Sequence, residues 1–143
     1  MIFWSGQCSH CVRYDEYLNT FEERHNEIAL LAVAARRGET TEQMTRAVLD
    51  RGLRFPILQS SDGAAARAWY AQQTPRCYLV APGRVLLYRG AIDNYKYPED
   101  PEYEAYLEPA IEAFLAHRAI ERPDTPAFGC AIDSIYYLLP RPK

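Results

Sequence analysis

The sequence predicts an α/β protein, a sheet with helices on both faces. Three observations predict it. Strand-like and helix-like segments alternate along the chain. The run Ile28-Ala29-Leu30-Leu31-Ala32-Val33-Ala34 is apolar without alternation, which suits a strand buried on both faces. The chain has 143 residues, 48% of them hydrophobic, which suits one domain with its own core.

Ile2-Phe3-Trp4 is a short apolar run ending at Ser5-Gly6-Gln7, and it reads as the first strand. A helix is expected over roughly residues 9–25, because Val12, Tyr14, Tyr17, Leu18 and Phe21 follow helical spacing. Residues 27–35 supply the second strand, with a buried helix as the competing reading because Ala and Leu favour helix. Thr40 followed by Gln43 resembles a capping box for a helix over about residues 41–51, and Gly52 is placed to end it. Phe55-Pro56-Ile57-Leu58 is a short strand, where Pro56 fits an edge or a strand start. Ser61-Asp62-Gly63 opens a helix reaching about Tyr70. After a break at Gln73-Thr74-Pro75, residues 77–80 and 85–89 read as two strands joined at Pro82-Gly83-Arg84. Asp93 to Pro101 is a polar loop. Glu102 to His117 is an amphipathic helix with Tyr106, Leu107, Ile111, Phe114 and Leu115 on one side. The proline-bearing residues beyond 120 read as a tail that packs on the domain.

Charged residues are 24% of the chain and its net charge is -3, so there is no electrostatic footprint for nucleic acid. No apolar run is long enough to span a membrane. No signal peptide is visible. A core strand at residue 1 suggests a trimmed chain or a misplaced start, so compartment is left open. Four cysteines are present, Cys8, Cys11, Cys77 and Cys130, too few for a disulfide-stapled mini-domain.

The pair Cys8-Ser9-His10-Cys11 carries the chemistry. If Cys8 opens a helix, Cys11 lies on the same face one turn later, where the two sulfurs can form a disulfide. The helix N-terminus then favours the Cys8 thiolate, the attacking species in thiol–disulfide exchange. His10 is expected to stabilise that thiolate further and to make the pair more oxidising. Structural zinc and a plain structural disulfide are the alternatives, although zinc wants four ligands and Cys77, Cys130, His25 and His117 are all unpaired in sequence.

Phe3-Trp4-Ser5-Gly6-Gln7-Cys8-Ser9-His10-Cys11 resembles the F-W-x-x-x-C-x-x-C run of thioredoxin-like proteins. Thr74-Pro75 resembles their T-P, and Tyr88-Arg89-Gly90-Ala91-Ile92-Asp93 resembles the Y-R-G-x-I-D of the redoxin group related to thiol-specific antioxidant proteins. Gly129-Cys130-Ala131-Ile132 resembles a G-C-x-I element seen after the last helix in some of them. The resemblance covers roughly residues 2–133. It implies a thioredoxin fold, a central mixed sheet flanked by helices and shortened at the N-terminus, in a single domain over 1–143 with residues 119–143 packing on it.

The resemblance also implies a mechanism. Cys8 attacks a disulfide and Cys11 resolves the mixed disulfide. A cis Pro75 faces the pair, and the Thr74 backbone pairs with an extended substrate as an added strand. Trp4, His10, Thr74 and Pro75 bind substrate or modulate the pair, and Cys130 is a candidate additional redox thiol. The expected partner is a disulfide- or dithiol-bearing protein or a small thiol, with no cofactor. The family leans towards exported proteins.

Departures from thioredoxin itself matter. Ile2 stands where thioredoxin has a buried acid and Gln7 where it has Trp, so help in deprotonating Cys11 has no obvious source. A peroxiredoxin-like peroxidase is a neighbouring reading, because Ser5 lies three residues before Cys8, but Met1 stands where that pattern wants Pro. A non-catalytic copper- or zinc-binding module is another reading. Cys77 reads as a buried small hydrophobe. His25, His117, Arg36 and Arg37 read as solvated, and Tyr95, Tyr97, Tyr103 and Tyr106 as packing residues or a substrate groove.

Overall fold

The computed structural model describes residues 1–133. A five-stranded mixed sheet forms the centre, built from β1 (Ile2–Trp4), β2 (Ala32–Ala34), β3 (Ile57–Gln59), β5 (Arg76–Ala81) and β6 (Val85–Gly90), in the order β3-β2-β1-β5-β6. The strands β1, β2 and β3 run parallel, with Phe3 opposite Val33 and Val33 opposite Leu58. β5 runs antiparallel to β1 and forms a hairpin with β6. β1 lies at the centre, which is why Ile2, Phe3 and Trp4 are all buried.

Because alternate side chains of a strand face opposite ways, β1 divides the core. Ile2 and Trp4 join Ala32, Ala34 and Leu79 on one side, under α4 (Thr41–Arg51) and α6 (Leu107–Leu115). Phe3 joins Val33, Tyr78 and Ile132 on the other, under α5 (Ala64–Ala68). This is the expected architecture of a mixed sheet flanked by helices. β3 lies at a sheet edge directly after Pro56, where a residue without an N–H removes no ladder bond.

The best-read element is α4. Thr40 Oγ1 accepts from the Gln43 N–H at 3.2 Å, and Gln43 Oε1 accepts from the Thr40 N–H at 2.9 Å. Gly52 ends the helix in the left-handed conformation.

Several elements are shorter than expected. The helix over 9–25 is three pieces, α1 (Ser9–Val12), α2 (Asp15–Asn19) and α3 (Phe21–Arg24). The first break falls at Arg13-Tyr14, where side chains are held from outside: the Tyr14 hydroxyl donates to Asp93 Oδ1 at 2.6 Å, and Arg13 donates to the Lys96 carbonyl. At the second break the Thr20 hydroxyl donates back to the Glu16 carbonyl, competing with the helix ladder. The strand expected over 27–35 narrows to three residues, and the helices expected near 61–70 and 102–117 narrow to α5 and α6.

The tail contributes an element that periodicity does not announce. Cys130–Ala131 form β7, which pairs antiparallel with β4 (Gln73–Thr74) as a separate two-stranded sheet. The tail is seated before it arrives there. Thr125 Oγ1 lies 2.7 Å from the Tyr88 hydroxyl and accepts from the Ala91 N–H at 3.2 Å. A Cβ on Gly90 would stand 2.0 Å from Thr125 Oγ1, so the glycine of the Y-R-G segment makes room for the tail. The remainder of the expected tail, 134–143, lies outside the described residues.

Candidate active site

Four segments meet around Cys8: the turn after β1, α1, the Thr74-Pro75 bond and β7. Cys8 is the N-cap of α1 and Cys11 lies within it, both with no exposed surface. The Thr74-Pro75 peptide bond is cis. The Cys8 thiol donates to the Thr74 carbonyl oxygen at 3.2 Å. The Thr74 hydroxyl, fully buried and without another partner, favours the anions of both Cys8 and Cys11. All four cysteines are free thiols.

The two sulfurs of the pair are driven apart in acidity. Hydrogen bonding from Cys11 brings Cys8 down to about 4 against the cost of burial, with Cys130 and Thr74 assisting. Cys11 is pushed well above the ordinary thiol range, first by burial and then by the neighbouring Cys8 sulfur. The pair is therefore set so that Cys8 ionises first while Cys11 keeps its proton.

This corrects two expectations about the cause. The helix end contributes little, because α1 has only four residues, and Cys8 makes no side-chain capping bond. His10 is not what holds the thiolate. Its ring turns to Tyr95, with centroids 5.0 Å apart, and its buried Nδ1 has no hydrogen-bond partner. Neighbouring thiols and Thr74 supply the stabilisation instead.

Trp4 also departs from its expected place. It is fully buried in β1, edge-on to Phe55 with centroids 6.1 Å apart and under the Arg51 guanidinium at 5.1 Å. It supports the active-site turn from beneath and has no surface to offer a substrate. Gly6 permits this closeness, since a Cβ there would stand 2.9 Å from Ala47 Cβ and 3.4 Å from the Trp4 ring.

The free edge expected at Thr74 is taken. Thr74 pairs with Cys130 and Gln73 with Ala131, so the chain's own β7 lies where an added strand was expected. The physical reason is local fit. Gly129 lets the backbones touch, and the Ile132 N–H donates to the Gln72 carbonyl at 2.9 Å. Cys130 remains partly exposed and its thiol is raised, by burial first and then by Cys8.

Glu39 escaped the sequence reading. It is 5% exposed, and its Oε1 accepts from the Ser5 hydroxyl and the Gln7 N–H, both at 3.0 Å. It holds the turn that presents Cys8. In sequence it sits in a polar break after Gly38, and only its contact with Ser5, 34 residues away, reveals the role. That same bond occupies the Ser5 hydroxyl, which the peroxidase pattern would need free for peroxide.

Other side chains expected to be solvated have partners, although Arg37 stays exposed. His25 Nε2 lies 2.8 Å from Glu108 Oε2. Arg36 donates to the Gln7 carbonyl at 3.1 Å, and Arg37 pairs with Asp133. Tyr95 and Tyr97 stack on the Arg13 guanidinium at 4.6 and 4.5 Å, beside α1. Cys77 is 2% exposed in β5, as a small core residue. Among the described residues no three His, Cys, Asp or Glu side chains converge as a metal ion would require. Among the same residues no helix is long and apolar enough to cross a membrane.

No family model matches the chain, and no curated protein is similar to it. Solved structures are. A hypothetical protein from Sinorhizobium meliloti shares 26% identity at a TM-score of 0.77, over 92% of this chain and 76% of that one. An uncharacterised conserved protein from Geobacillus kaustophilus shares 20% identity at a TM-score of 0.79, over 93% of this chain and 75% of that one. A proposed thiol:disulfide interchange protein DsbE from Chlorobium tepidum shares 16% identity at a TM-score of 0.55, over 62% of each chain. With its central mixed sheet flanked by helices, the chain has a thioredoxin-like fold.

Proposed function

We propose that the protein is a thiol–disulfide oxidoreductase in which Cys8 is the nucleophile and Cys11 the resolving thiol. One observation carries this reading: Cys8 and Cys11 lie buried together at the start of α1 against the cis Thr74-Pro75 bond, with Cys8 3.2 Å from the Thr74 oxygen, and their surroundings lower Cys8 and raise Cys11. A stabilised thiolate is the attacking species at neutral pH and also the better leaving group when the disulfide is opened. Structural cysteines in an apolar core have no such division. The interchange role named for the Chlorobium tepidum neighbour agrees with the reading.

Cys8 attacks a disulfide sulfur, whether the partner's own or one formed on a neighbouring thiol of the chain, a mixed disulfide forms, and the other sulfur leaves as a thiol. Cys11 then attacks the Cys8 sulfur, releases the second thiol and closes the Cys8–Cys11 bond. The reverse sequence oxidises a dithiol. Thr74 and Pro75 position the pair, and Glu39 fixes the preceding turn. The partner is a protein or small molecule bearing a thiol or disulfide.

A redox titration against glutathione, with Cys8→Ser as control, tests the reading. Stabilisation of the reduced form places the expected potential nearer about -120 mV than about -270 mV on the scale of known pairs. Failure of the wild-type protein to exchange with glutathione would sink the reading.

A further inference from the structure

We propose that Cys130 is a third reacting thiol, the one through which the buried Cys8–Cys11 pair exchanges with thiols and disulfides in solution. The proposal rests on the thiol–disulfide reading of that pair.

Access is the first argument. Cys8 and Cys11 expose no surface, whereas Cys130 is partly exposed. Of the three residues, Cys130 is the one a reagent from solution can meet.

Placement is the second. Thr74 pairs with Cys130 across the β4–β7 ladder and accepts the Cys8 thiol on its carbonyl oxygen. Cys8 and Cys130 therefore converge on one residue. Both the thiol and the backbone N–H of Cys130 favour the Cys8 anion, and the His10 N–H favours that of Cys130. The otherwise unpartnered Thr74 hydroxyl lies buried in the same cluster.

The seat is the third. A Cβ on Gly129 would stand 1.8 Å from the Thr74 oxygen and 2.6 Å from its carbonyl carbon. Residue 129 therefore has no room for a side chain at the point where the strand enters the site. The Gln73 side-chain amide donates to the Ala127 carbonyl at 2.7 Å before the strand. After it, the Arg37 N–H donates to the Ile132 carbonyl at 2.9 Å. The tail is fastened on both sides of Cys130.

The chemistry balances. In oxidation of an external thiol, the Cys130 thiolate attacks Cys8 of the Cys8–Cys11 disulfide. The Cys8–Cys130 bond forms, and Cys11 leaves with the proton that Cys130 gave up. An external thiolate then attacks the sulfur of the partly exposed Cys130, and Cys8 leaves as its stabilised thiolate. A second external thiolate attacks the external sulfur of the mixed disulfide on Cys130 and returns Cys130 to a thiol. Two external thiols lose two electrons and become a disulfide, and the protein disulfide gains those electrons. The reverse sequence reduces an external disulfide.

The test uses glutathione, with acid quenching and mass spectrometry of the trapped species. Cys130→Ser is expected to slow reduction of the oxidised protein by about tenfold or more. Cys11→Ser, treated with oxidised glutathione, is expected to accumulate an internal Cys8–Cys130 disulfide. Gly129→Ala, which unseats β7, is expected to slow exchange as Cys130→Ser does. If β7 were only a cover, Cys130→Ser would react at the wild-type rate and Gly129→Ala faster, and either result overturns the relay. Accumulation of only a Cys8–glutathione adduct in Cys11→Ser overturns it as well, and that measurement stands whether or not Gly129→Ala folds. Loss of exchange in the wild-type protein itself would instead strike the underlying thiol–disulfide reading.

Discussion

Cys8 and Cys77 are equally hidden, 0% and 2% exposed, yet one is brought down to about 4 and the other pushed up to about 12. Both meet the cost of placing a sulfur anion away from water. Cys77 lies in β5 opposite Ile2 and Gly90, where burial dominates and no hydrogen bond offsets it. Cys8 has Cys11, Cys130 and Thr74 around it. Burial alone therefore says nothing about whether a cysteine reacts; the donors facing the sulfur decide.

The largest test of this contrast is alkylation of the native reduced protein by iodoacetamide at pH 6, read by peptide mass spectrometry. Cys8 lies beside the short β4–β7 pair through its bond to Thr74, whereas Cys77 lies within the central sheet, whose opening is costlier. Labelling of Cys8 is expected to outpace that of Cys77 by about 100-fold or more, because thiolate fraction and opening both favour it. Equal rates would erase the distinction.

A smaller effect concerns stability. Cys77→Ser puts a hydroxyl where the thiol acts as a small hydrophobe, and is expected to cost about 1–3 kcal/mol in urea unfolding. Cys77→Ala is expected to cost less, since it adds no polar group. A Cys77→Ser protein as stable as the wild type would mean the site holds an undetected partner for polar groups.

A further test sharpens the contrast by pH. Cys8 is depressed from the ordinary 9.0, so its contribution to the reduced protein is full above that value and disappears as pH falls through about 4. Cys77 is raised from 9.0, so its contribution is full below that value and disappears as pH rises through about 12. The stability difference between wild type and Cys8→Ser is therefore expected to shrink from pH 8 towards pH 4. The difference for Cys77→Ala should stay flat over that range. Parallel curves would show that the two sulfurs feel the same surroundings.

Much of this site was legible in the chain. The C-x-x-C spacing put Cys8 and Cys11 together, the Thr40–Gln43 pair capped α4, and Pro56 pointed to an edge strand. These features are local, and their physics is complete within a few residues. The rest depends on contacts between distant segments. Tyr14 breaks its helix towards Asp93, 79 positions away, and Glu39 meets Ser5 across 34. Two residues of β7 have no periodicity to read, so the closure of the Thr74 edge was invisible. The G-C-x-I resemblance drew attention to Cys130 without saying what it touches. The His10 ring meets Tyr95, a contact that its place inside the C-x-x-C motif does not announce.

The fastening of Cys130 beside Thr74 has a consequence during synthesis. Cys8 leaves the ribosome 122 positions ahead of Cys130. At about 5–20 residues per second, that interval is roughly 6–24 s. Throughout it the nascent chain carries a C-x-x-C whose cover has not yet been translated. Premature pairing of these thiols with other cysteines is most open then, and it ends when the last turn of chain docks.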